Sequence, residues 1–261
     1  MTEQNPTGID AYKPAEIATL VEAAGVNKAR LPVVQMLVLS VLAGAFIALG
    51  AAAYTMVMTG ADPGYGPHRF LGGVVFSLGL VLVIVGGAEL FTGNALMIMA
   101  AVDGKIGLGA LGRAWGIVYI GNLIGALVIA VLFAATGLLD GPMGATARTI
   151  ADGKAALGTV EAFVRAILCN ILVCLAVWLT LAARTVAGKI LAIILPIAAF
   201  VALGLEHSIA NMYLIPQGIF AGATPTAGAV LHNIMVVTIG NIIGGAGGVA
   251  LSYRLAYGAQ A

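Results

Sequence analysis

Glu89 and Asn94 stand five residues apart in Gly87-Ala-Glu-Leu-Phe-Thr-Gly-Asn94, and Glu206 and Asn211 repeat that spacing in Gly204-Leu-Glu-His-Ser-Ile-Ala-Asn211. Both segments lie inside long apolar stretches. Ionisable and amide groups at membrane depth are costly unless they face protein or water, so two matched clusters imply one duplicated polar pathway for a small solute. His207 is the one histidine placed mid-run, because His68 and His232 fall near run ends. A neutral imidazole donates one hydrogen bond and ordinarily titrates near neutrality, which suits transient pairing with an anion. Thr92 adds a hydroxyl, for solute contact or simply to cap the helix that follows. Glu89 and Glu206 are expected to bind backbone amides exposed where helices break, since a fixed carboxylate repels an anion. Asn94, Asn211, Asn122 and Asn241 are expected to tie those broken helices to their neighbours. Ser208 beside His207 is the one tempting catalytic pair, but adjacent residues rarely present their side chains to one another and no third partner follows. No enzyme is expected, and neither a cofactor nor a metal.

The elements that must position these groups are membrane helices. Hydrophobic residues make up 61% of the 261 residues and charged ones only 9%, far below the roughly 25% of soluble chains, too few to cover a water-exposed fold. A formal charge of +1 supplies no basic field for nucleic acid. Met1 to Arg30 is polar and lacks a basic start followed by a short apolar core, so a cleaved secretory signal is not expected. Cys169 and Cys174, five apart in one apolar run, point in different directions on a helix and read as small buried side chains rather than a disulfide.

Crossing the hydrocarbon takes about 20 residues. Apolar runs of that order lie near 32–58, 70–101, 108–137, 158–184, 187–216 and 227–256, which predicts a transmembrane domain over 31–257 with both termini on one side. The second and fifth runs are overlong and carry the polar clusters, so each reads as a helix broken near mid-membrane. The repeat extends into the following run, where Ile120-Gly-Asn122-Leu-Ile-Gly125 is answered by Ile239-Gly-Asn241-Ile-Ile-Gly244. Gly121, Gly125, Gly240, Gly244 and Gly245 predict close helix contacts. Three spans per half is odd, so the halves are expected to be inverted.

Placing the N-terminus in the cytoplasm collects Lys13, Lys28, Arg30, Lys105, Arg113, Arg184, Lys189 and Arg254 there, against Arg69, Arg148 and Lys154 outside. That bias predicts cytoplasmic termini, with residues 1–30 and the tail 258–261 on that side. Ile17, Leu20, Val21 and Ala24, with Glu16 and Glu22, predict an amphipathic helix over 15–26, an anchor on the membrane surface or a plug. Arg165, one turn after Glu161, is expected in a local ion pair or in a contact between subunits.

Glu-Leu-Phe-Thr-Gly-Asn in the second run, Cys-Asn-Ile-Leu-Val-Cys-Leu-Ala-Val-Trp in the fourth, Glu-His-Ser-Ile-Ala-Asn-Met in the fifth and the paired Gly-Asn steps resemble the formate/nitrite transporter family. The resemblance runs from about Lys13 to Tyr257. It implies an all-α homopentamer of aquaporin-like protomers in the cytoplasmic (inner) membrane, each with its own pore for a small monovalent anion, coupled to protons or gated by pH. By motif, Thr92 and His207 face each other midway, Phe76 and Phe200 form the outer constriction, and Leu80 and Phe91 the inner one. Lys154, in a loop with Arg148, Asp140 and Asp152, corresponds to a basic residue of the outer vestibule. Asn211-Met-Tyr-Leu-Ile-Pro216 resembles the formate branch, while Ala166-Ile-Leu-Cys-Asn170 and Leu231-His-Asn233 lean toward nitrite. Formate ranks first, with nitrite or hydrosulfide as the alternative cargo and a neutral-solute channel as the alternative class.

Overall fold

The computed structural model describes residues 11–62 and 64–258; the ends of the N-terminal segment and of the tail, 1–10 and 259–261, lie outside the described residues. Those described are helical throughout, apart from connections and an isolated bridge between Ala11 and Ala183. In chain order the helices are α1 Pro14–Ala29, α2 Val33–Val57, α3 Gly66–Phe76, α4 Leu78–Gly86, a short 3-10 helix Gly93–Met97 running into α5 Ile98–Val102, and α6 Leu108–Ala134. Then come α7 Pro142–Ala155, α8 Thr159–Ala182, α9 Val186–Ala202, α10 Ser208–Phe220 and α11 Ala227–Ile242, which widens into a π-helical stretch Ile243–Leu251 before α12 Ser252–Tyr257. The order contains the six apolar runs, two of them in pieces.

Five stretches are long and apolar enough to cross a bilayer: Val33–Val57, Gly66–Gly86, Leu108–Ala134, Thr159–Ala182 and Ala227–Tyr257. The second run therefore already reaches crossing length before its polar cluster, and Gly93–Val102 follows as a short apolar piece. The fifth run is built from α9 and α10, and its second piece extends to Phe220, beyond the expected end at 216. Both interruptions begin at a glycine with positive φ, Gly87 at 79° and Gly204 at 70°, a backbone state that side chains disfavour and that stops a helix cleanly.

Packing is pairwise and repeats. α2 lies chiefly against α6, α8 against α11, and the interrupted runs meet where α3 packs on α9. Glycines set the approach: a Cβ at Gly125 would sit 2.0 Å from the Val41 carbonyl oxygen, and one at Gly244 would sit 2.2 Å from that of Ile167. These paired glycines bring backbones closer than any side chain allows. α1 is not simply laid on a surface, since Ile17, Ala18, Val21, Gly25 and Ala29 are buried against the 3-10 helix, α5 and α8. Polar ties among the described residues hold it, including Lys105 to Glu22 at 2.7 Å, Lys28 to Glu89 at 2.6 Å, and Arg113 donating to the Ala29 carbonyl at 2.7 Å.

Candidate functional site

Each interruption exposes backbone groups that a buried environment must satisfy. An asparagine on the next long helix does so. Asn122 of α6 accepts from the Phe91 amide at 2.9 Å and donates to the carbonyls of Glu89, 2.9 Å, and Ser40, 2.7 Å. Asn241 of α11 repeats the pattern, accepting from the Ser208 amide at 2.8 Å and donating to the carbonyls of Glu206, 2.9 Å, and Ala166, 2.8 Å. The Phe91 and Ser208 amides thus go to asparagines and those of Glu89 and Glu206 to the carbonyls of Leu39 and Arg165, not to the glutamate side chains as the sequence suggested. The carboxylates are occupied otherwise. Glu89 accepts from Lys28 at 2.6 Å and from Asn94 at 2.8 Å; Glu206 accepts from Lys154 at 2.8 Å and from Asn211 at 2.6 Å. Asn five residues after Glu reaches back across the start of the following helix to one carboxylate oxygen, and a lysine takes the other.

Two expectations change with this arrangement. Lys154 does not sit in a loop: it lies in the last turn of α7, and its ammonium pairs with a nearly buried carboxylate. Thr92 makes no side-chain cap for the helix it precedes. Its hydroxyl instead lies 2.9 Å from His207 Nε2, while its carbonyl accepts from Asn170 at 3.2 Å. His207 is itself the cap of α10, with Nδ1 accepting from the Ala210 amide at 3.1 Å. An N–H donor facing Nδ1 means that Nδ1 carries a lone pair, so the proton of the neutral ring resides on Nε2 and points at Thr92 Oγ1. The threonine hydroxyl is left with a donor of its own to offer.

Three cavities follow one another by shared lining residues, and His207 lines the middle one. The one on the Lys154 side, about 70 Å³, is lined by Lys154, Glu206, Tyr54 and Phe76 among others. The middle one, about 10 Å³, is lined by Phe76, Leu80, Leu90, Phe200, His207 and neighbouring aliphatic residues. The third, about 190 Å³ on the α1 side, is lined by Leu80, Leu90, Asn94, Lys28 and Lys189. Phe76 belongs to the first two, and Leu80 and Leu90 to the last two, so these side chains form the partitions. Phe76 and Phe200 meet edge to face with centroids 5.5 Å apart, and the Phe200 ring lies nearly parallel to that of His207 at 5.9 Å. Phe91 lines none of these three cavities; its ring packs edge-on against Trp115 and Tyr119, and Leu90 takes the lining position.

Sequence reading missed Lys28 and Leu90. A signal for Lys28 existed: it precedes Glu89 by 61 residues as Lys154 precedes Glu206 by 52, so extending the repeat backward across one more span would have paired them. Arg165 bonds Glu161 and also donates to the Gly204 carbonyl at 3.0 Å, tying α8 to the second interruption. Cys169 and Cys174 are free and buried.

A family model described as formate/nitrite transporter matches residues 15–255. The chain belongs to the formate/nitrite transporter family. It is 46% identical over 249 residues to an uncharacterized transporter, YrhG, of Bacillus subtilis (strain 168), covering 94% of this chain and 93% of the relative. It is 38% identical over 280 residues to the formate channel FocA of Escherichia coli (strain K12), covering 98% of each. Among solved structures it is similar to a pentameric formate channel with formate bound, with a TM-score of 0.80 and 38% identity over 86% of this chain and 97% of the other. An FNT family ion channel gives a TM-score of 0.87 at 30% identity, covering 92% and 98%. Membership makes this a multi-pass membrane protein among channels and transporters, not enzymes.

Proposed function

We propose that this protein moves small monovalent anions, formate first, through a conduit in each protomer whose centre is His207 beside Thr92. The observation that carries the reading is the series of three cavities with an apolar middle and a polar pair against it. A bare anion entering a compartment of about 10 Å³ walled by Phe76, Leu80 and Phe200 loses nearly all its water. That desolvation is very costly for a charge and far less so for the neutral acid. His207 is the polar side chain that lines that compartment, with the Thr92 hydroxyl behind it at 2.9 Å, and Lys154, paired with Glu206 in the adjoining cavity, supplies an ammonium donor where the anion meets a proton. Transport of the charge together with a proton, or gating by pH, follows from these energetics. The formate channels among the relatives support formate; the nitrite-like segments at Ala166–Asn170 and Leu231–Asn233 keep nitrite or hydrosulfide as the second cargo.

The same reading takes the six runs as six crossings in two inverted halves, α1 to α6 with the first interruption and α7 to α12 with the second. The matching roles of Asn122 and Asn241 support it. It further takes five such chains as the assembly, both termini as cytoplasmic and the inner membrane as the site, supported by the pentameric neighbour and by the lysine and arginine bias. Formate flux into liposomes containing the His207→Phe variant, measured at pH 5 and pH 8, tests the centre. Loss of flux and of its pH dependence is expected; undiminished, equally pH-sensitive flux removes His207 from the mechanism. Osmotic swelling with an uncharged solute and no anion separates the neutral-solute class.

A further inference from the structure

We infer that Lys189 makes the α1-side cavity an anion-collecting antechamber, a role separate from that of the lysine–glutamate pairs; the inference rests on the transport reading above only for its consequence in flux. The cavity of about 190 Å³ is lined by two ammonium-bearing side chains, Lys28 and Lys189. Lys28 is neutralised by Glu89 at 2.6 Å. Among the described residues Lys189 has no carboxylate partner, so the walls carry one net positive charge. The remaining lining, including Ala24, Leu80, Val83 and Leu181, is largely aliphatic and weakens dielectric screening. Helix stability does not account for the lysine. It lies in the fourth position of α9, at the end where the helix dipole disfavours a cation, and the first turn carries no acid. A half-buried, unpaired ammonium beside a concave, low-dielectric wall is an electrostatic lure for a small anion on the way to Leu80 and Leu90.

The measurement needs no transported solute. Ala24, on α1, lines the same cavity, and Ala24→Cys gives a thiol there; the native Cys169 and Cys174 are fully buried, and the parent chain corrects for them. Reconstituted protein is labelled with the negatively charged sulfonatoethyl and the positively charged trimethylammonioethyl methanethiosulfonates, and the ratio of the two rates is read. A unit charge about 8 Å away changes each rate roughly twofold in opposite directions, so Lys189→Gln lowers the anion-to-cation ratio about fivefold at low salt. Lys189→Glu lowers it about twentyfold, Lys189→Arg preserves it, and about 0.5 M salt brings every variant within roughly twofold of the parent. Arg30→Gln, which removes an exposed charge from the same end of the molecule, changes the ratio by less than about 1.5-fold. An unchanged ratio in Lys189→Gln, or an equal change in Arg30→Gln, overturns the inference whether or not formate flows. Failure of the transport reading shows differently: the ratio shifts as expected while the parent protein passes no formate. With both readings standing, Lys189→Gln slows formate flux at low salt and low formate by the same factor from either side, and high salt removes the difference.

Discussion

The two interruptions share a scaffold and differ in what they present. After Gly87 the chain turns into a five-residue 3-10 helix that no side chain caps; after Gly204 it enters the thirteen-residue α10, capped by the ring of His207. Around both, an asparagine takes the freed amide and two carbonyls, and a Lys–Glu–Asn cluster closes the flank. Holding a gap in a buried helix poses the same hydrogen-bonding problem twice, so its solution recurs. The groups that meet at the centre are under no such constraint. The first interruption contributes a hydroxyl and the second an imidazole, and the pair forms one contact of 2.9 Å. The hydrogen-bonding frame recurs in the two interruptions, and the side chains that meet between them do not.

The sharpest way to break that comparison is to remove the scaffold asparagines. Asn122→Ala and Asn241→Ala each delete three hydrogen bonds to main-chain groups at fully buried positions. Stranded groups in such a setting cost about 1 kcal/mol or more apiece, and bonds between membrane helices run somewhat lower, so each variant is expected to lose roughly 2–4 kcal/mol. Thermal unfolding in detergent should show the two losses within about 1 kcal/mol of one another if the scaffolds are equivalent. A large drop for one and none for the other would show that only one gap needs its asparagine.

The lysines sharpen the comparison at smaller magnitude. Lys154→Met leaves Glu206 with only Asn211 in a side chain that is 4% exposed, whereas Lys28→Met leaves Glu89 at 9% beside the larger cavity. Removing one partner of a fully buried pair costs about 3–5 kcal/mol, and water in the adjoining cavities lowers that here, to about 2 kcal/mol for Lys154 and about 1 kcal/mol for Lys28. Double variants that also carry Glu206→Gln or Glu89→Gln should recover most of the loss, since the stranded charge is gone. The Lys28 variant has a second expected effect, faster proteolysis within α1, because the tie to Glu89 is among the polar contacts that hold that helix.

Much of this frame was legible in the sequence, for identifiable reasons. A Glu and an Asn within an apolar run have few places to go, so the gaps announce themselves. Asn122 and Asn241 were legible through the repeated Gly-Asn step, whose glycines bring the neighbouring helix close enough for the amide to reach across. What escaped were pairings over long separations between a polar segment and an apolar one. Lys28 sits in a helix that reads as a surface element, and nothing local links it to Glu89. α7 was hidden by its composition, since Pro142-Met-Gly-Ala-Thr-Ala looks like a loop. Its small residues Gly144, Ala147 and Ala151 recur at helical spacing and are buried, and a Cβ on Gly218 of α10 would come within 2.3 Å of the Ala151 Cβ. That stripe was the available signal. Leu90 and Phe91 were indistinguishable in sequence, as adjacent apolar residues in an irregular segment point in directions that only tertiary contacts decide.

The smallest expected effect probes the contact where the two interruptions differ. Thr92→Val keeps the shape but removes the oxygen, leaving the Nε2–H of a buried His207 without an acceptor, while the Nδ1 cap on α10 is untouched. Stability should fall by only about 1 kcal/mol, the lower end of the cost of an unsatisfied buried donor. If the hydroxyl also serves the solute, flux should fall about tenfold, equivalent to about 1.4 kcal/mol at the barrier, and Thr92→Ser should restore most of both. If the contact only fixes the ring, Thr92→Val should lose stability with its flux nearly intact. Stopped-flow flux and thermal unfolding on the same three proteins separate these outcomes. A Thr92→Val protein with unchanged flux and unchanged stability would leave His207 alone at the centre, with Thr92 contributing only its carbonyl to the frame around Asn170.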